Sequence, residues 1–349
     1  MDSISQIALG AAVSVAVMGR NSTVARAALW GAVAGTLPDL DVIIRHGNPI
    51  HNMVLHRSVT HSLFWLTLFS IPLCALVCKI HGEWTLWRRW WLALWLALIT
   101  HPLLDLMTVY GTQLALPFTN HPYVVGSVFI VDPLYTVPLL IGTGWALRKR
   151  KNNDLAVAPK TPFLTSNTLG LVLSTAYLAW GFAVQQHVKH IATESLASQG
   201  IHTPVMLVTP SPFNSILWRI VVIVGDEYHE GFYSLLDPSR DIQFARFPRN
   251  LALETDLQTN DGVSRIRAFS HGFYAMQQRG AQIIIKDLRM GQEPNYTFSF
   301  AVAERKSPVV ALAVPEKIQF TPDIRCGSKW LWRRLQGEAL PTASKFCEN

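Results

Sequence analysis

The sequence predicts an α-helical membrane bundle of about five to six spans, followed by a smaller extracytoplasmic α+β domain made mostly of antiparallel strands. Three observations predict it. Half of the 349 residues are hydrophobic and only 15% are charged, against about 25% in an average soluble domain. The charges are unevenly placed: residues 1–147 hold 13 of the 53 Asp, Glu, Lys and Arg, whereas residues 189–349 hold 34. The apolar part also breaks into runs near the roughly 20 residues a spanning helix needs. This composition excludes a disordered chain, a coiled coil and a disulfide-stapled mini-protein.

Six runs read as spans: Ile4–Met18, Ala25–Ile44, Ser62–Ile80, Trp90–Leu116, Val128–Leu147 and Phe163–Val188. The first is short and rich in Ala and Gly, which suits a tilted or partly inserted helix. No Lys or Arg precedes Arg20, so a cleavable signal peptide with its basic n-region is not expected. Alternate connections hold ten basic residues: Arg20, Arg26, Lys79, Arg88, Arg89, Arg148 to Lys151, and Lys160. The opposite connections hold only Arg45 and Arg57. Because Lys and Arg mark cytoplasmic loops, this bias puts the N-terminus and residues 45–61, 117–127 and 189–349 outside the cytoplasm. The organisation expected is a membrane domain at 1–147, a cytoplasmic basic loop at 148–162, a last transmembrane helix at 163–188 and an extracytoplasmic soluble domain at 189–349.

In the soluble part, short β-type runs occur at Pro204–Val208, Ile216–Val224, Tyr228–Leu236, Gln282–Ile285 and Tyr296–Val302, with Gly225-Asp226 as a hairpin turn. A helix is expected around Val263–Met276. The segment Lys329–Leu335, with Trp330, Trp332, Arg333 and Arg334, reads either as a membrane-surface helix or as a terminal helix with Trp turned inward. Cys74 and Cys78 lie in an apolar run as buried thiols; Cys326 and Cys347 can pair only in an oxidising compartment. The net charge of +7 comes largely from the cluster Arg148 to Lys151. That leaves no basic face for nucleic acid, which is not expected as a partner.

Ionisable groups at span ends or inside apolar runs are costly and need a reason. The orientation above puts Asp2, Asp39, Asp41, His56, Arg57, His61, His101, Asp105 and Asp132 on one outer side. His101 and Asp105 are four apart, so on a helix they share one face and can grip one cation. Asp39 and Asp41, beside Pro38 at a helix end, add oxygens, and His56 and His61 add imidazoles. Imidazole with carboxylate suits zinc, and carboxylate-rich variants suit manganese or iron. Taken singly, each residue also fits a structural role: Asp39 or Asp41 as a helix cap, Asp41 as a partner of Arg57, Asp132 as the cap of the fifth span. The joint pattern points to a divalent metal centre. No Ser-His-Asp arrangement or phosphate-binding glycine loop is visible.

These residues carry a resemblance. Met1-Asp2-Ser3, Leu37-Pro38-Asp39-Leu40-Asp41, His56-Arg57, Thr60-His61-Ser62, His101 to Asp105, Tyr110-Gly111-Thr112-Gln113 and Asp132-Pro133-Leu134-Tyr135 resemble the bacterial membrane-bound metal-dependent hydrolases of the YdjM-like type. The resemblance covers about residues 1–145, and Pro212-Phe213-Asn214 with Leu217-Trp218-Arg219 resembles the C-terminal extension of one subgroup. It implies an inner-membrane divalent-metal hydrolase, distantly similar to zinc-dependent phospholipase C and single-strand nucleases. It carries the ligand roles over to Asp39, Asp41, His56, His61, His101 and Asp105. Many relatives have a Thr-His pair near the N-terminus where this chain has Ser5-Gln6, and Gln6 is a weaker ligand.

The function expected is metal-activated water attacking a phosphoester or lipid-linked substrate at the outer membrane interface. Asp39 or Asp41 is the general base and Arg57 a phosphate contact, with Asp132 and Gln6 hydrogen-bonding the ligands from outside. The partners expected are the lipid bilayer and that substrate. The competing expectation is a non-catalytic metal-binding, structural or interaction protein of the cell envelope.

Overall fold

The computed structural model describes residues 1–19, 21–150, 162–202, 205–306, 309–321 and 323–348. Arg20 and most of the basic loop expected at 148–162 lie outside the described residues. The chain forms two compact units, Met1–Ile44 with His56–Phe182, and Arg45–Leu55 with Ala183–Asn349.

The first unit is helical. Its helices are α1 (Ser3–Met18), α2 (Val24–Thr36), α4 (Leu63–His81), α5 (Trp87–Leu106), α6 (Pro133–Arg150) and the first part of α7 (Pro162–Ser198); α3 (Pro49–Leu55) belongs to the second unit. Polar residues start the helices by accepting orphan N–H groups: Asp2 from Ile4 and Ser5, Thr23 from Arg26, and Ser62 from Trp65. Gly82, with φ of 66°, closes α4 in the left-handed region.

Small residues let α1 and α2 touch backbone to backbone, as in membrane helix pairs with a small-xxx-small pattern. Gly10 lies against Gly31 and Gly35, and a Cβ on Gly31 would overlap the Gly10 carbonyl. The obstacle is backbone, so it cannot rotate away. Gly31→Leu is expected to cost more than the usual 1–3 kcal/mol of overpacking, read as a lower unfolding midpoint in detergent; a midpoint equal to wild type would contradict this packing.

Two expected spans are shorter as helices. The run Ala25–Ile44 stops being α-helical at Thr36, and Leu37–Ile43 forms a 3-10 turn. Pro38 has no backbone N–H with which to continue the α2 hydrogen-bond ladder. The run Trp90–Leu116 leaves the helix after Leu106, and residues 107–132 form an irregular connection in which Gly111 has φ of 112°. Among the described residues, two helices are long and apolar enough to cross a membrane: Leu63–His81 and Thr165–Ser198.

The second unit is an antiparallel β domain. Strands β1 (Met206–Pro210), β2 (Leu217–Val224), β3 (Glu227–Ser234) and β4 (Phe244–Pro248) pair in that order. Helix α8 (Asp261–Phe269) precedes β5 (Tyr274–Arg279) and β6 (Gln282–Asp287). The short ribbon of β7 (Gly291–Gln292) and β8 (Asn295–Tyr296), then β9 (Ser299–Glu304) and β10 (Val310–Lys317), complete the strands. The second sheet has the order β10-β9-β6-β5. The expected hairpin at Gly225-Asp226 is present, with Val224 opposite Glu227. The helix expected at Val263–Met276 ends at Phe269, because Gly272 (φ 82°) turns the chain and Tyr274 opens β5.

Successive residues of β2 face opposite ways, and both faces are buried. Trp218, Ile220 and Val222 pack with Val184, Val188, Ile191 and Leu196 of α7, while Val221 packs with Tyr228, Phe273 and Leu288. The run expected to span as Phe163–Val188 therefore continues as an amphipathic helix whose later apolar stripe lies in the core of this domain.

Helices α9 (Ile324–Leu335) and α10 (Ala343–Glu348) finish the chain, joined by a Cys326–Cys347 disulfide. Of the two readings left open for this segment, Trp330 turns inward onto Phe232, whereas Trp332 is exposed. The disulfide closes a 21-residue separation, for which the chain-entropy relation gives about 3 kcal/mol. Cys347→Ser should lower domain stability by that order, seen as an earlier thermal transition; reductant should leave the variant's transition unmoved.

Candidate metal centre

Four side chains from three separate elements meet in the helical unit. Asp39 comes from the 3-10 turn after α2, His61 from the 3-10 turn Val59–His61, and His101 and Asp105 from the last turns of α5. One ligand atom from each lies within 4.8 Å of the others. His61 Nε2 is 3.1 Å from His101 Nε2, 3.2 Å from Asp105 Oδ2 and 3.4 Å from Asp39 Oδ1. His101 Nε2 is 3.3 Å from Asp39 Oδ1 and 3.5 Å from Asp105 Oδ2. A tetrahedral shell with metal–ligand bonds of about 2.0–2.1 Å has edges of about 3.3 Å, so these five separations are compatible with a cation's ligand shell.

The protons tell the same story. His101 Nδ1 lies 2.7 Å from the Gly35 carbonyl, which only accepts, so Nδ1 carries the hydrogen and Nε2 presents a lone pair. The Thr60 hydroxyl donates to Asp41 Oδ2 at 2.8 Å and therefore accepts from His61 Nδ1 at 3.0 Å. In the neutral imidazole His61 Nε2 is a lone pair as well. Two lone pairs then face each other beside two carboxylate oxygens, an arrangement that calls for a positive charge among them, either a bound cation or a proton on His61. Asp105 Oδ2, fully buried, has no hydrogen-bond partner. Burial opposes charge on His61, but the Asp105 and Asp39 carboxylates outweigh it and hold its imidazole above the ordinary histidine value. The residues present fit a divalent cation.

The remaining residues singled out in the sequence fall around this cluster or away from it. Asp41 is not among the four; it accepts from His56 Nδ1 at 2.8 Å, the Arg57 N–H at 3.1 Å and Thr60. His56 likewise stands outside, its ring centre 5.9 Å from that of His61. Arg57 is buried, its Nε 3.2 Å from Asp105 Oδ2, its Nη1 bonded to Thr108, and its guanidinium over the Tyr110 ring. It meets Asp105 through its side chain and Asp41 only through its backbone. Gln6 Nε2 donates to Asp105 Oδ1 at 3.1 Å and to the His101 carbonyl, and the Met1 amine also reaches Asp105 Oδ1. Asp132 stands apart, accepting from Tyr177 and from Leu134 N–H at the start of α6, and Asp2 caps α1.

Sequence reasoning missed the Gly35 carbonyl, Thr60 and Thr108. A signal for the first exists in Gly31-x-x-x-Gly35, a pattern that brings backbones close. A signal for the second is the Thr60-His61 adjacency. Nothing local marks Thr108.

No solved structure matches the chain. A curated relative, the uncharacterized protein YfhP of Bacillus subtilis (strain 168), is 25% identical over 278 residues, covering 76% of this chain and 77% of its own length. The family model described as YdjM inner membrane protein matches residues 1–190, more than half of the chain and all of the four-residue cluster. The chain thus belongs to the YdjM inner membrane protein family.

Proposed function

We propose that this protein is an integral-membrane hydrolase dependent on a divalent cation, with zinc favoured over manganese or iron, acting on a phosphoester or lipid-linked substrate at the outer membrane interface. The observation that carries it is the pair of imidazole Nε2 atoms 3.1 Å apart, each within 3.5 Å of an Asp39 and an Asp105 carboxylate oxygen. Asp39, His61, His101 and Asp105 would hold the cation, which would supply Lewis-acid activation of water. Arg57, Gln6 and Thr108 position Asp105 and its surroundings. Asp41 holds the His56 ring by Nδ1. Nε2 of His56, on a part-exposed side chain, would then be the group to accept a proton from water. Of the two carboxylates expected as base, Asp39 belongs to the cation and Asp41 acts through His56.

The placement proposed is the inner membrane with five to six spans and the centre on the outer side, supported by the ten-to-two distribution of basic residues. The Cys326–Cys347 disulfide supports an extracytoplasmic second domain, since such bonds persist in oxidising compartments.

The test is release of headgroup phosphate from phospholipid micelles by the full-length protein loaded with zinc. His101→Ala and Asp39→Asn should abolish it, and His56→Gln should lower kcat by about 10²–10⁴-fold with metal retained. A metal-loaded wild type without turnover on any phosphoester or lipid-linked ester would favour the non-catalytic reading. One observation speaks for that reading: His61, His101 and Asp105 are fully buried, and closed four-ligand sites are the structural kind.

A further inference from the structure

In the helical unit, a cleft of about 240 Å³ is walled by Leu63, Phe64, Leu114, Leu116, Phe118 and Tyr123. It presents almost no polar atom. Its two walls are tied to each other and to the loop that carries His61. Leu63 N–H donates to the Leu114 carbonyl at 3.0 Å, Ser62 Oγ to the Leu116 carbonyl at 2.5 Å, and Gln113 N–H to the Arg57 carbonyl at 3.0 Å. His61, a member of the cluster, is two residues from Leu63. Of its lining residues, Phe64 and Phe118 meet edge-to-face at 5.7 Å, and Phe118 is 78% exposed.

The occupant follows from what the cleft joins. Leu63 and Phe64 are the first residues of α4, one of the two helices apolar enough to cross a membrane. Apart from Lys79 in its last turn, the exposed side chains of that helix, including Leu68, Phe69, Ile71 and Leu76, are hydrocarbon or aromatic. A water-soluble phosphoester would find no partner in such a cleft. A hydrocarbon chain already lying along α4 enters it without leaving an apolar surface. We infer that the cleft is an acyl-chain subsite, which takes the tail of a membrane lipid whose headgroup ester then faces Asp39, His61, His101 and Asp105. This rests on reading the cluster as a hydrolytic metal centre, and it narrows the substrate from phosphoesters in general to acylated ones.

The test uses the full-length protein in nanodiscs containing a phosphatidylglycerol with a diazirine at the end of one acyl chain. After illumination, adducts are mapped by peptide mass spectrometry, and bound metal is measured on the same preparation. Adducts concentrated on Leu63–Phe64 and Leu114–Phe118, several-fold above Leu68–Leu76 of the same helix, are the result expected. In Phe118→Asp the cleft adducts should fall to the mid-helix level while metal is retained. Uniform labelling along α4 in the metal-loaded wild type overturns the subsite and leaves the hydrolase reading standing. Concentrated labelling in a protein that binds no metal after zinc loading overturns the hydrolase reading, and with it the assignment of this lipid as substrate. The wild-type comparison needs no variant to fold.

Discussion

Full-length protein loaded with zinc and washed should retain about one cation per chain, and His101→Ala and Asp39→Asn should retain none. The two substitutions differ in what else they disturb, which makes the pair informative. His101 also donates to the Gly35 carbonyl inside the bundle, and leaving that acceptor unpaired costs about 1–3 kcal/mol. Asp39 stands at the rim, with its side chain 19% exposed, and Asn has its shape without its charge. Elemental mass spectrometry reads the metal, and circular dichroism reads the fold. Loss of metal from folded Asp39→Asn assigns the cation to this cluster; retention in both variants removes it. Asp41→Asn should weaken affinity by about 10–100-fold, because it perturbs the hydrogen bonds that orient His61 through Thr60.

Arg57→Met should destabilise the metal-free protein by about 3–5 kcal/mol, since it strips the buried Asp105 carboxylate of a cation in contact with it. Zinc should recover part of that loss by restoring positive charge beside Asp105, so the penalty should be smaller in the metal-loaded protein. The backbone adds a second handle. Arg57 has φ of 63°, in the left-handed region that costs a residue with a Cβ roughly 1–2 kcal/mol. Arg57→Gly should therefore be less damaging than Arg57→Ala, although both lose the guanidinium. Denaturant unfolding in detergent, with and without chelator, measures all of these. Equal penalties with and without zinc would separate Arg57 from the metal centre.

Much of this architecture was legible one segment at a time. The β-branched run Leu217–Val224, the turn at Gly225-Asp226 and the following strand were readable because strand pairing across a two-residue turn is local. His101 and Asp105 were readable as a pair because helical spacing alone puts them on one face. Reading failed where hydrophobicity continued after the helix stopped. Residues 107–116 are apolar enough to prolong α5, yet Thr112 bridges to Tyr123 and Gln113 to Arg57, and those distant partners hold the connection irregular. The strand at Tyr274 was hidden for a similar reason. Its apolar residues fit a helix as well as a strand, and pairing with β6 decides between them.

From the chain of residues alone came the division into an apolar helical part and a charged β part, and the set of acids and imidazoles from which a centre had to be built. The residue order carried no choice among the members of that set. Asp39 and Asp41 are two apart, as interchangeable in sequence as ligands can be, yet one reaches the imidazole lone pairs and the other holds His56 and Thr60. That choice was made by contacts between residues far apart in the chain. Glycine-lined packing seats α1 on α2, and Gly35, on the same helix, gives its carbonyl to His101 across 66 residues. Composition and spacing act over a few residues, whereas a ligand shell closes only when separate backbones are held at ångström separations by packing.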